Sequence, residues 1–301
     1  MAGADGAVAL LGAADALPRD TWDGGAGEAK ALVTFLDSGR ALLGGGAGAA
    51  GVWQVAPRWT LARTIGGELT PPATEEDAGV PPIDAVTALA FSPDGAILAT
   101  GSGRPSRSGE IKLWNTADGA LVREFAAPHS DAVTALEFSR KGDMLASGAT
   151  DRFVKVHSVA DGKHVKSFEG HTGHVLGVAW QANGRRLSSA GADNAIKVWD
   201  VVTGEQQRTI NGGKKEVTAV KFVAPGEEVV ACSGDPTVRL YNAGNGGTVR
   251  EFPGAADFVQ AVAVGPTALA AACQDGKLRL WTLADGKLLH TLEPSPAPAK
   301  Q

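Results

Sequence analysis

Short stretches of alternating apolar and polar residues recur along the whole chain. VTALAF (86–91), AILATG (96–101), EIKLWN (110–115) and LVREF (121–125) each run about four to six residues with a period near two. That alternation predicts half-buried strands. Turn signals separate them: SPDG at 92–95, a loop before EIKLW, and TADGA at 116–120. Four such strands cannot bury a face by themselves. Stacking many four-stranded sheets side by side around an axis buries both faces of each.

The pattern repeats at a fixed period, which points to an array. DAVTALAFSPDGAILATGS at 84–102 returns as DAVTALEFSRKGDMLASGAT at 131–150, and three further copies follow. The anchor valines are Val86, Val133, Val175, Val217 and Val259, spaced by 47, 42, 42 and 42. A second anchor lies downstream in each unit, at Trp114, His157, Trp199, Tyr241 and Trp281, spaced by 43, 42, 42 and 40. An earlier, worn unit matches Phe35 to Phe91 and Trp53 to Trp114, with residues 66–83 inserted between it and the next. Leu11 lies 42 residues before Trp53 and completes the series.

The unit resembles the WD40 repeat, over essentially the whole chain. Trp199-Asp200 is the namesake dipeptide, with Trp114-Asn115, Tyr241-Asn242 and Trp281-Thr282 as variants, and Gly170-His171 is an intact Gly-His. Asp151, Asp193, Asp235 and Asp275 each stand six residues before the Trp-like anchor, where the family has its turn Asp. The resemblance implies an all-β, WD40-type β-propeller. It also implies a buried hydrogen-bonded set of His171, Ser189, Asp193 and Trp199, complete only in that unit because His157 replaces the Trp one unit earlier. DNAIKVWD, DRFVKVHS and FVQAVAV look most similar to propellers of large bacterial WD40 proteins, which often carry a c-type cytochrome module upstream.

Seven third-strand anchors are preceded by only six first-and-second strand pairs. The expectation is seven blades with the first incomplete, the alternative being six blades plus a hairpin. One domain then spans 1–292, with a partial blade in 1–24 and a disordered Pro- and Ala-rich tail in 293–301. Met1 falls inside a blade, so a chain missing about half a repeat is the simplest account. An incomplete blade leaves a strand edge near Val8 to Leu11 open to pairing.

Composition narrows the function. The chain has 301 residues, 40 of them Gly, and a formal net charge of −5. That balance argues against a nucleic-acid platform held by bulk electrostatics. No apolar run is long enough to span a membrane, and MAGADGAVALLGAADAL is a poor signal peptide. The expected location is cytoplasmic if the chain is complete, periplasmic if it belongs to an exported protein. Cys232 and Cys273 are the only cysteines, too few for a disulfide framework or a cysteine zinc site, and no C-x-x-C-H is present to hold a haem. By period two their side chains face opposite sides of their sheets, which argues against a disulfide and for two small buried hydrophobes.

The remaining motifs read as architecture. Gly46, Gly48 and Gly51 fit G-x-G-x-x-G, but a strand and no helix follows them, so a worn turn is expected. His171 and His174, with His164 nearby, have metal-like spacing, yet His171 already has a structural role and no metal is expected. No nucleophile motif and no paired carboxylates stand out, so no catalytic residue, cofactor or metal is assigned.

The candidate site is the ring of residues before each first strand, which in WD40 propellers rims the channel. Here these are Asp84, Asp131, His174, Glu216, and Asp257 with Phe258. The same face carries the 66–83 insertion and the lengthened loop GSGRPSRSGE with Arg104 and Arg107. Loops on a rigid scaffold are where binding varies. The expected function is a non-enzymatic scaffold that binds a protein or peptide partner there. The alternative is the C-terminal propeller of an exported redox protein, positioning an upstream cytochrome module.

Overall fold

The alternating stretches become strands throughout the computed structural model. It describes the strand backbones within 7–65, the Ile65 side chain, and residues 86–292 apart from Pro105, Gly212, Asp257 and the Arg104 side chain. The first sheet is two-stranded, β1 (Ala7–Leu11) with β2 (Pro18–Asp23). The second comprises β3 (Ala29–Val33), β4 (Arg40–Gly45), β5 (Ala50–Gln54) and β6 (Thr60–Ile65). The third comprises β7 (Ala88–Phe91), β8 (Ile97–Arg104), β9 (Ser108–Asn115) and β10 (Leu121–Glu124). The fourth holds β11 (Val133–Phe138), β12 (Met144–Ala149), β13 (Val154–Ser158) and β14 (His164–Phe168). The fifth holds β15 (Val175–Trp180), β16 (Arg186–Gly191), β17 (Ala195–Asp200) and β18 (Gln206–Asn211). The sixth holds β19 (Val217–Val223), β20 (Glu228–Ser233), β21 (Val238–Asn242) and β22 (Thr248–Phe252). The seventh holds β23 (Val259–Val264), β24 (Ala268–Cys273), β25 (Leu278–Thr282) and β26 (Leu288–Leu292).

In each of the six four-stranded sheets, neighbours in space are neighbours in sequence and run antiparallel. The chain is therefore all-β and propeller-like. No helix among the described residues is long and apolar enough to cross a membrane. Gly46 and Gly48 lie outside the described residues, but Gly51 sits within the strand β5.

Two register shifts recur along the sheets, the second of them absent between β7 and β8. One falls where the third strand meets the fourth, at Trp53, Trp114, His157, Trp199, Tyr241 and Trp281, and also at Leu11 in the first sheet. The other follows the anchor valine, so that Thr134, Leu176, Thr218 and Gln260 are bulge residues on the innermost strands. A bulge re-aims the side chain it carries.

The sheets pack inner strand to inner strand in sequence order, β7 on β11, β11 on β15, β15 on β19 and β19 on β23. Val133, Val175, Val217 and Val259 are wholly buried in these layers. Each contributes roughly 1.5–3 kcal/mol by leaving water. Their seats are small residues on the preceding sheet. A Cβ at Gly101 would meet Val133 Cγ1 at 2.7 Å, and one at Gly148 would meet Val175 Cγ1 at 2.5 Å. Polar clasps lie beside the seats. The Thr87 and Thr134 hydroxyls donate to the carbonyls of Val133 and Val175, and Thr218 Oγ1 donates to Val259 O at 2.6 Å. Leu176 interrupts that series.

A second clasp joins the sheets at their outer ends. Arg123, Lys166 and Arg250 donate to the carbonyls of Ala160, Val202 and Leu283 on the next sheet, each at 2.9 Å. Their stems lie over turn glycines Gly162, Gly204 and Gly286, all at positive φ.

Cys232 and Cys273 are buried thiols, not joined by a disulfide, in one core layer between the sixth and seventh sheets. Facing opposite sides of two consecutive sheets brings them into the same layer, the reverse of the separation expected from alternation. Burial pushes the Cys232 thiol up to about 12, which leaves it inert.

The Val–Gly seat gives a direct expectation. Gly148→Ala forces a methyl against Val175 and lowers unfolding stability by about 1–3 kcal/mol. Gly226→Ala, where the nearest atom outside the adjoining residues is Val223 O at 3.7 Å from the new Cβ, is the control and leaves the urea midpoint near that of the wild type.

Candidate functional site

In the fourth, fifth and sixth sheets the loop entering the first strand and the loop joining second to third strand are tied together by one turn Asp. The N–H groups of Ser130, Thr172 and Lys214 donate to Asp151 (3.1 Å), Asp193 (2.9 Å) and Asp235 (3.0 Å). These paired loops form one face.

In the fifth sheet the Asp begins a closed relay. Trp199 Nε1–H donates to Ser189 Oγ at 2.8 Å, Ser189 Oγ lies 2.7 Å from His171 Nε2, and His171 Nδ1 lies 2.9 Å from Asp193. Burial holds His171 below the usual histidine range, against the pull of Asp193. The neutral ring therefore donates from Nδ1 and accepts from the serine, and neither nitrogen is left for a metal. The fourth sheet has the same relay, which sequence reasoning missed. His129 Nδ1 lies 2.9 Å from Asp151 and its Nε2 lies 2.7 Å from Ser147 Oγ. Pro128 stands where the Gly of Gly-His belongs, and that hides the histidine. Its position 42 residues before His171 is the signal that finds it.

The sixth and seventh sheets have no such histidine. Instead an arginine two residues before the anchor reaches back to the Asp. Arg239 lies 3.3 Å from Asp235, and Arg279 grips Asp275 through two nitrogens at 3.1 and 2.6 Å. The fourth and fifth sheets carry Lys155 and Lys197 at that position, bonded to Pro128 O (2.7 Å) and Gln206 Oε1 (3.0 Å).

His157 occupies the Trp position of the fourth sheet. It is buried against Phe125 and His164, with ring centroids at 5.2 and 5.4 Å. Its Nδ1 is buried without a hydrogen-bond partner. Burial first, then the charges of His164, His129 and Lys155, depress it to about 4.

The structure describes four of the rim residues, Asp131, His174, Glu216 and Phe258. Asp131 lies two residues before its Val and caps the N–H groups of Ser106 (2.8 Å) and Ala132 (2.7 Å). It thereby fastens the lengthened loop that carries exposed Arg107. Its carboxyl is held low: burial opposes this, but the two backbone bonds prevail. His174 is exposed and its charge bears on Asp131. Asp84, Asp257 and the Arg104 side chain lie outside the described residues. Glu216 and Phe258 do come together. They line a pocket of about 320 Å³ with Leu176, Gln260, Thr134 and Thr218. The latter four are bulge residues, so the bulges account for their convergence. The two threonine hydroxyls are engaged by backbone carbonyls, which leaves their methyls for the pocket. Its lining mixes the apolar Leu176 and Phe258 with Glu216, Gln260 and the two threonines.

His157 makes stability fall in mild acid. The unfolded chain takes up the proton near 6.5, the folded one only near 4. The neutral ring's contribution is thus complete above 6.5 and is lost as pH falls, about 3 kcal/mol by pH 4. Burial of His129 and His171 acts in the same direction. Urea unfolding between pH 7 and 4.5 checks this. His157→Trp, whose indole N–H would reach Ser147 as Trp199 reaches Ser189, flattens the pH dependence. An unchanged slope contradicts the assignment.

Comparison with known proteins accords with this geometry. The family model described as "WD domain, G-beta repeat" matches residues 83–115, 119–158, 162–200 and 204–242. No curated protein sequence matches. Among solved structures, the computationally designed Ika8 protein is similar with a TM-score of 0.70 and 30% identity, over 97% of this chain and 82% of that one. WD40 repeats serve in general as protein-interaction scaffolds. On four matched repeats, on sheets of the same pattern before and after them, and on the His–Ser–Asp–Trp relay, the chain belongs to the WD40 family.

Proposed function

We propose that the protein is a non-enzymatic scaffold that docks a protein or peptide segment on its loop face, at the pocket lined by the innermost strands of the fourth to seventh sheets. The observation that carries this reading is the meeting of Glu216 and Phe258 with four bulge residues in one cavity. The walls are held by the inter-sheet clasps, so the pocket is preformed and an entering side chain meets little reorganisation cost. The site's titratable groups support binding more than catalysis. The turn carboxylates are bonded to histidines, arginines or backbone N–H groups, and no activated nucleophile adjoins the pocket. We read β1 and β2 as the outer half of a further blade, because their register shift falls at Leu11 as it does at the other anchors. No observation on these residues favours the upstream-cytochrome reading.

The test is affinity capture with the purified chain as bait, followed by variants. Phe258→Ala and Leu176→Ala are expected to lose the captured partner while melting within a few degrees of the wild type. Val202→Asp, on an exposed outer turn, is expected to retain it. Retention by the pocket variants with loss by Val202→Asp would move the site to the outer circumference.

A further inference from the structure

Resting on the loop-face reading, we infer that the docked segment places a basic side chain in this pocket, one with an apolar stem and a cationic head as in lysine or arginine. Two layers of residues build the site. The rim layer is the residue before each anchor valine: Ala132, His174, Glu216 and Phe258. Their carbonyls accept from the N–H groups of Thr150, Ala192, Gly234 and Gln274 at 2.9, 2.8, 3.0 and 2.8 Å. The backbone at this position is therefore fixed in four consecutive sheets, while the side chain differs in each. Of these four, Glu216 and Phe258 line the pocket. The second layer is the set of bulge residues, Thr134, Leu176, Thr218 and Gln260.

This lining has acceptors to spare and few donors. Glu216 is its one charged group, and its carboxylate makes no hydrogen bond or ion pair with a described residue. Lys214 and Lys215 precede it in sequence but do not pair with it. The Lys215 stem runs instead over Gly234, where a Cβ would meet its Cδ at 2.7 Å. The threonine hydrogens are already committed. That of Thr134 is shared between the carbonyls of Gly148 and Val175, and that of Thr218 between those of Cys232 and Val259. The Gln260 amide is then the remaining side-chain donor of the lining.

The ligand class follows from that inventory. An anionic occupant would face Glu216 and find a single amide to satisfy it. A wholly apolar side chain would strip water from the carboxylate and return no hydrogen bond. A basic side chain meets both demands. Its methylenes have Leu176, Phe258 and the threonine methyls to lie along, and its N–H groups have Glu216 and the Gln260 carbonyl to bond. Glu216 is half-buried, so the charge pair contributes selectivity and orientation more than bulk affinity.

Methyl-resolved NMR titration of the whole chain tests this. The probes are heptapeptides of Gly, Ser and Ala that differ only at the central residue, which is Lys, Arg, norleucine or Glu. The methyl signals of Thr134, Leu176 and Thr218 report on the pocket itself. The Lys or the Arg peptide is expected to shift them with at least about tenfold higher affinity than the norleucine peptide, which keeps the stem and lacks the charge. The Glu peptide is expected to leave them unmoved. Glu216→Gln preserves the shape of the side chain and removes its charge. It is expected to abolish the preference for the basic peptide while leaving norleucine binding unchanged and the melting temperature within a few degrees of the wild type. Equal binding of the norleucine peptide, preference for the Glu peptide, no shift with any peptide, or a preference that survives Glu216→Gln overturns the inference. Capture separates the two readings. A partner lost with Phe258→Ala yet held by Glu216→Gln leaves the docking pocket standing and sinks the basic side chain. A partner held by both variants sinks both.

Discussion

The structure depends on one contact made over and over, an anchor valine of one sheet seated on a small residue of the sheet before it. Val133 on Gly101 and Val175 on Gly148 are the tightest cases. The contact is short because the inner strands must converge, and convergence leaves no room for a side chain on the receiving strand. Beside it a threonine hydroxyl ties the two backbones. Further out, a basic side chain lies across the next sheet's turn. Apolar burial supplies most of the stabilisation, and the polar clasps fix the angle at which it is achieved.

The proposed docking pocket inherits from that constraint. The bulge that follows each anchor valine is what aims Thr134, Leu176, Thr218 and Gln260 into the pocket with Glu216 and Phe258. The pocket is therefore part of the same arrangement that holds the sheets together. Its walls are held by carbonyls and valines that lie outside the pocket lining.

Much of this was legible in the sequence and some was not. The strands and anchors could be read because alternation and a 42-residue period reinforce each other. The relay of His171, Ser189, Asp193 and Trp199 carries recognisable residues at recognisable spacing. His129 was hidden by a proline at one neighbouring position. The arginines that replace the histidines could not be read, because the partner of Asp235 and Asp275 had moved to another strand. Asp131 shows a different difficulty. Asp131 caps a loop as well as standing before a first strand, and only hydrogen-bond geometry reveals the cap. The two cysteines show that alternation gives the face of a sheet but not which sheet lies opposite it.

The junction between sheets is also directional. The fourth sheet offers Val133 backward, the Lys166 arm forward, the Gly148 seat and the Ala160 turn carbonyl. A single 42-residue segment thus contains both complementary halves of its own interface. Copying the segment copies a complete joint, whatever the neighbours are, so arrays of this kind can lengthen or shorten by whole units without new surfaces having to be invented. Individual units are then free to drift. A His–Asp relay can give way to an Arg–Asp pair, or a tryptophan to a histidine, while the joint is retained. The mixture of intact and altered units along this chain is what such modular inheritance leaves behind.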